Sequence, residues 1–379
     1  MAGIYIHIPF CKKLCHYCDF YHVISHDDKQ AFIDALGREI SFRSDYLGAD
    51  PVNTLYFGGG TPSVLTPQEL SQVLGMIRGT FRVESGSEIT IEVNPDDITP
   101  GYLKEIRETG INRISMGVQS WNDKILHMLN RRHTAAQAEE ALDNIFNAGF
   151  TNVTVDLIYG IPGLSSAEWK KSLEKTFSKP IVHLSAYHLS IEPGTVFGKM
   201  KDKGLLAEID EEESAAQFSI LTEMASAAGF IHYEISNFGK EGFFSVHNTN
   251  YWKQVPYLGL GPSAHSFNRY SRQWNLSDVK KYTRYAGTEK AEGGREELDL
   301  KTRFNEYIMT SLRTMWGIDL DYTEQNFEKE GYDYVVNIAS KYISYGMMRQ
   351  EKNTLVLTDQ GIMISDNIIS GFMMPEDKS

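Results

Sequence analysis

Cys11, Cys15 and Cys18 are the only thiols in 379 residues, and all three fall within Cys11-Lys-Lys-Leu-Cys15-His-Tyr-Cys18. Thiolates are soft ligands, and each of three on one short loop takes its own iron of a 4Fe-4S cube, so this C-x3-C-x2-C spacing leaves the fourth iron open. An open iron implies chemistry at the metal rather than electron storage alone. With no fourth cysteine in the chain, a closed four-thiolate cluster needs another ligand type. The same thiols also suit a Cys3His zinc site with His16 or His22 as fourth ligand, or a chance grouping in a reduced protein.

Other residues with chemistry to offer stand at the ends of apolar runs. Gly58-Gly59-Gly60-Thr61-Pro62 follows Thr54 to Phe57, where residues without Cβ either let the backbone approach a ligand or make a plain turn. Glu92, Gln119 and Asp156 close three further runs. A carboxylate buried there is costly unless ribose hydroxyls or a cation meet it. His247, in His247-Asn-Thr-Asn-Tyr251-Trp252, sits among aromatics. It reads either as a satisfied structural histidine or as an axial haem ligand beside a flat apolar wall.

The elements that must position these residues alternate. Strands are expected at Gly3 to Ile8, Thr54 to Phe57, Glu88 to Val93, Arg113 to Val118, Asn152 to Ile158 and His183 to Leu189. Amphipathic helices are expected at Asp28 to Tyr46, Thr66 to Phe81, Pro100 to Thr109, Ala135 to Ala148 and Ser165 to Phe177. Such alternation predicts an α/β fold of βα units around a parallel sheet, with too few units for an eight-stranded barrel. A helix from about Asp210 to Gly229 and a Gly- and aromatic-rich run from Phe230 to Tyr270 come next, then a linker at Glu289 to Leu298. Helices at Lys301 to Met315 and Asp333 to Ser344 and a hairpin at Met347 to Leu357 end the chain.

The cysteine loop after an apolar strand, followed by Gly58-Gly-Gly-Thr61-Pro62, resembles the radical S-adenosylmethionine (SAM) superfamily. Within it the chain is similar to the branch of oxygen-independent coproporphyrinogen oxidase and its relatives. The resemblance implies a partial six-stranded (β/α)6 barrel over residues 1–190, a barrel-closing segment over 191–292 and a small winged-helix-like domain over 293–379. It also implies a 4Fe-4S cluster on Cys11, Cys15 and Cys18 whose open iron chelates SAM. By the same resemblance Tyr5, Phe20, Gly59, Gly60, Thr61, Glu92, Gln119, Arg131 and Asp156 contact SAM, with Arg131 pairing its carboxylate. Tyr5 and Phe20 read equally well as core aromatics, and Arg132 is the neighbouring rival of Arg131.

The oxidase pattern has a longer N-terminal extension and a further cysteine two residues past the triad, where this chain has Phe20. The H-N-x-x-Y-W motif resembles instead the haem-chaperone members of the branch, which implies haem binding at His247 and transfer to respiratory haem proteins. The expectation is therefore a chaperone rather than an oxidase. Decarboxylation of coproporphyrinogen III, or radical modification of another tetrapyrrole, is the alternative.

Composition bounds the partners. A net charge of −13 argues against nucleic acid, whose binding rests on neutralising phosphates. Residues 293–379 hold 9 Lys plus Arg against 15 Asp plus Glu, so the terminal module is expected to contact protein rather than DNA. The first residues lack a basic segment followed by an apolar one, and the unpaired thiols suit a reducing compartment. These features predict a cytoplasmic protein, with peripheral docking at the membrane surface still open.

Overall fold

The computed structural model describes residues 1–24 and 29–375. Six parallel strands form its centre: β1 (Ala2–Ile8), β2 (Val52–Gly59), β3 (Val83–Val93), β4 (Arg113–Gln119), β5 (Asn152–Tyr159) and β6 (His183–His188). The intervening helices are α1 (Lys29–Phe42), α2 (Pro67–Thr80), α3 (Pro100–Glu108), α4 (Asp123–Met128), α5 (Ala135–Asn147) and α6 (Ser166–Phe177). Asp28, expected to open the first helix, lies outside the described residues. Local sequence starts these helices cleanly. Thr66 with Glu69, Thr134 with Gln137 and Ser165 with Glu168 each close a reciprocal capping box that satisfies two orphan donors.

The strands alternate in a way that fixes the site. Ile4, Ile6, Leu55, Phe57, Ile89, Ile91, Ile114, Met116, Val153, Val155 and Leu184 are buried in one apolar core with the helices. Side chains point to opposite faces with period two, so their neighbours Tyr56, Glu92, Arg113, Ser115, Thr154, Asp156, His183 and Ser185 share the other face. That face is polar and encloses a chamber instead of a packed core.

Beyond β6 the chain continues through α7 (Val196–Asp202), α8 (Glu211–Ala227) and an antiparallel pair, β7 (Ile231–Glu234) and β8 (Asn237–Gly239), that extends the sheet past β6. Then comes α9 (Val246–Trp252), which carries the H-N-x-x-Y-W motif. The strands β9 (Tyr257–Leu260), β10 (His265–Phe267), β11 (Ser271–Asn275) and β12 (Glu292–Glu297) extend the opposite edge, β9 running parallel to β1. Between the last two lies α10 (Val279–Tyr285).

The stretch read as a linker is thus a correction: its second half is β12, paired antiparallel with β11. Its glycines serve packing, since a Cβ on Gly294 would collide with the Trp274 ring. The remainder forms α11 (Leu300–Leu312), α12 (Leu320–Ser344), α13 (Asp359–Ile362) and α14 (Ser365–Phe372) around the sheet of β13 (Ile318–Asp319), β14 (Met348–Glu351) and β15 (Thr354–Leu357). Phe304, Ile308, Val335, Leu355 and Phe372 belong to a second apolar cluster there. Helix α12 begins well before the expected Asp333 and is broken at Phe327 and Glu328, where the backbone leaves helical geometry. No described helix is long and apolar enough to cross a membrane.

Candidate functional site

The chamber opens at the C-terminal ends of β1 to β6 and has a volume of about 390 Å³. Its roof is the loop after β1, pinned by backbone bonds from Cys11 to Val23 (2.9 Å) and from His16 to Leu129 (3.2 Å). All three cysteines line the chamber and none is in a disulfide. Burial pushes the Cys18 thiol up to about 11 and raises that of Cys11. Bonding to a metal deprotonates such thiols outright. His16 Nδ1 bonds the Met128 carbonyl (3.0 Å) and His22 Nδ1 that of Phe20 (2.7 Å), bonds that a metal-ligating imidazole also makes through its second nitrogen. Among the described residues no group of three or more His, Cys, Asp or Glu is placed to hold a single ion.

A chain of side chains ties the roof to the walls. Thr61 Oγ1 donates to Cys11 Sγ (3.4 Å) and accepts from Asn94 Nδ2 (3.3 Å). Asn94 Oδ1 in turn accepts from Arg131 Nη2 (2.6 Å), whose Nη1 reaches Cys15 Sγ (3.5 Å). Arg131 also donates to the Gly117 carbonyl (2.7 Å), while its buried Nε has no partner among the described residues. A guanidinium with a buried donor to spare is poised for an anionic ligand group. Arg132 is already committed to Asp96 (2.7 Å) and Asp97 (3.1 Å).

Glu92 and Asp156 face the chamber from β3 and β5. Burial pushes the Glu92 carboxyl up to about 7, against the opposing bond from Tyr56 Oη (2.8 Å). Burial likewise raises Asp156 to about 6, although Ser115 Oγ donates to both its oxygens (3.0 and 3.1 Å). Gln119 adopts a left-handed backbone (φ 65°) at the end of β4, local strain of the kind found at ligand sites. Gly59 and Gly60 line the chamber, but their missing Cβ atoms matter toward the protein. A Cβ on Gly59 would lie 2.6 Å from the His7 ring, and one on Gly60 would lie 2.8 Å from the Ile8 carbonyl. The glycines therefore let this loop press against β1 and the cysteine loop.

Phe20, expected at the cofactor, lines the chamber at its rim and is 70% exposed, which sets aside only the alternative of a core aromatic. Tyr5 is absent from the chamber wall and lies beneath Gly58, its hydroxyl bonded to His7 Nδ1 (3.2 Å). His247, expected to present a nitrogen to haem iron, is 1% exposed, with Nδ1 bonded to Thr54 Oγ1 (2.8 Å) and Nε2 to Tyr251 Oη (2.9 Å). Its ring stacks on Tyr56 at 5.0 Å. Glu88 accepts from the Val246 and His247 amides, so α9 is held across the floor of the barrel at the opposite end from the cysteines. Both nitrogens of His247 are engaged in hydrogen bonds and burial lowers its pKa to about 3, so this conformation presents no free nitrogen to a ligand.

The residues sequence reasoning missed are Asn94, Tyr56, Arg113, Ser115, His183 and Ser185, all on the chamber wall. Stepping back in twos along β4 from Gln119 would have found Ser115 and Arg113.

Comparison with known proteins agrees with this architecture. The sequence profile of the radical SAM superfamily matches residues 5–176. A heme chaperone HemW from Lactococcus lactis is 33% identical over 374 residues, covering 98% of this chain and 97% of that protein. HemW of Bacillus subtilis is 30% identical over 98% of this chain and 99% of its own. The solved structure of coproporphyrinogen III oxidase (HemN) from Escherichia coli superposes with a TM-score of 0.85 at 22% identity, covering 98% of this chain and 90% of that one, a likeness of fold. On sequence and architecture together, the chain belongs to the HemW family of the radical SAM superfamily.

Proposed function

We propose that the protein is a cytoplasmic haem chaperone that holds a 4Fe-4S cluster and SAM in the chamber, binds haem, and passes it to respiratory haem proteins at the membrane surface. The observation that carries this reading is the near full-length likeness to curated haem chaperones. The donor set in the chamber supports the cofactors: three thiols on one loop, and a half-buried arginine whose buried Nε has no partner among the described residues. Held by Cys11, Cys15 and Cys18, a cluster would supply one open iron at which SAM could bind. Arg131 pairs the carboxylate, Glu92 and Asp156 accept from ribose hydroxyls, and the Thr61–Asn94 link keeps the roof in register with them.

The oxidase fold likeness keeps one rival in play, and the two readings part on a single preparation. Reconstituted anaerobically with iron, sulfide, SAM and reductant, the protein should transfer bound haem to an apo-cytochrome and leave coproporphyrinogen III unchanged. Conversion to protoporphyrinogen, or haem that never leaves, sinks the chaperone reading.

A further inference from the structure

A second cavity, of about 490 Å³, lies between the far end of α9 and the C-terminal module. Aromatic side chains line it: Trp252 from the H-N-x-x-Y-W motif, Phe267, Tyr307, Trp316 and Tyr322. Lys253, Arg269 and Arg303 stand among them, and none has an ion-pair partner among the described residues. Lys253 Nζ lies 4.3 Å from the centre of the Trp316 ring, and the Arg303 guanidinium 5.6 Å from that of Tyr270. The buried Nε of Arg303 has no hydrogen-bond partner among the described residues. The two carboxylates on the wall are committed: Glu306 to Arg272 through bonds of 2.7 and 3.1 Å, and Asp319 to the Tyr322 amide that it caps (3.0 Å). In a chain of net charge −13, three unpaired cations around an aromatic cleft are a local reversal of sign.

Backbone strain gathers in the same place. Gln254 (φ 52°) and Arg269 (φ 77°) line the cleft in left-handed conformations, and Glu328 (φ 60°) breaks α12 beside the lining residue Phe327. Strain of this kind persists where the surroundings over-determine it, and it concentrates at ligand sites.

We infer that this cleft is the haem seat: a flat tetrapyrrole stacks between the aromatic walls and its two propionates are met by Arg303 and Lys253 or Arg269. The assignment rests on the haem-binding reading above and moves the ligand away from His247. No histidine, cysteine or methionine is among the described residues that line the cleft, Tyr307 Oη is taken by the Asp319 backbone, and the phenols of Tyr270 and Tyr322 bind iron only after losing a proton, so haem is held chiefly by stacking and charge. A carrier that must surrender its haem benefits from that weakness. The invariant requirement on the ligand is then two carboxylates on a planar ring, not iron.

The test is a titration of the full-length protein with hemin, and with metal-free protoporphyrin IX and its dimethyl ester. Wild type should bind hemin and the free diacid with similar affinity, and the ester at least ~10-fold more weakly. Trp316→Ala and Arg303→Gln should each weaken hemin by ~10-fold or more. Arg303→Gln empties no core, which keeps the test valid should Trp316→Ala misfold. Folded cleft variants that bind hemin like wild type, or an ester that binds like the diacid, would overturn the assignment while leaving haem binding itself intact. A wild type that binds no hemin overturns both.

Discussion

The chamber and the cleft are of similar size, about 390 and 490 Å³, and are built from opposite chemistry. The chamber is walled by carboxylates, hydroxyls and a guanidinium already knitted into hydrogen bonds, so it orients a polar ligand whose groups complete that network. The cleft offers aromatic side chains and cations without acidic partners, which suit a flat dianion and fix its orientation loosely. One seven-residue helix serves both: Ser245 and Asn248 at its start face the chamber, and Trp252 at its end faces the cleft. The H-N-x-x-Y-W motif is therefore two devices in one segment, a floor bolt at His247 and a wall at Trp252.

The sharpest way to break this division is to empty one site and examine the other. Replacing Cys11, Cys15 and Cys18 together by serine should reduce bound iron and sulfide to background after reconstitution. Hemin affinity should stay within ~3-fold of wild type, well under 1 kcal/mol. Loss of both at once would mean that the two cavities form a single site.

His247→Ala comes next. It removes a ring stacked on Tyr56 and strands Thr54 Oγ1 and Tyr251 Oη in a buried place. A loss of about 3 kcal/mol in urea unfolding is expected from the cavity and the unpaired groups. Hemin affinity of the folded fraction should hardly move. The reverse pattern, intact stability with haem binding gone, would restore His247 as an iron ligand.

In the chamber alone, Arg131→Lys should weaken SAM by ~10-fold or more, because an ammonium cannot replace a fork that reaches Asn94, Gly117 and Cys15 together. Equilibrium dialysis on the reconstituted protein measures this, and unchanged binding would remove Arg131 from the site.

How far these differences were legible in the sequence depends on range. The cysteine roof and the polar strand ends could be read because they are local: spacing along one loop, and period two along single strands. Six strand positions and most helix bodies follow from the same periodicity. The destination of His247 could not be read, since its partners Thr54 and Tyr56 lie nearly two hundred positions away and are set by how α9 crosses the barrel floor. The cleft was hidden for the same reason. Trp252, Tyr270, Arg303 and Trp316 come from four segments whose meeting depends on tertiary packing. Gly293 and Gly294 misled in the other direction, because glycine that makes room for Trp274 within a strand looks like a linker when its neighbour is unseen.

The smallest effect separates the sites by proton rather than by ligand. Glu92 carries a carboxyl raised from 4.5 to about 7 by burial, so between those values the native chain holds a proton that the unfolded chain has lost. Stability contributed by that proton is present at low pH and is lost as pH rises through about 7. Asp156, raised to about 6, acts in the same direction at lower pH. Glu92→Gln keeps an acceptor for Tyr56 and has no proton to lose. Its stability relative to wild type in the cluster-free protein should therefore rise by about 1 kcal/mol between pH 6 and pH 8, measured by urea unfolding. In the cleft, Glu306 is already ion-paired with Arg272, so hemin affinity of Glu92→Gln should match that of wild type across the same interval. Parallel unfolding profiles for the two proteins would mean that the Tyr56 hydroxyl and the Gly59 amide together offset the burial of Glu92, and the chamber would then be less starved of ligand than its geometry implies.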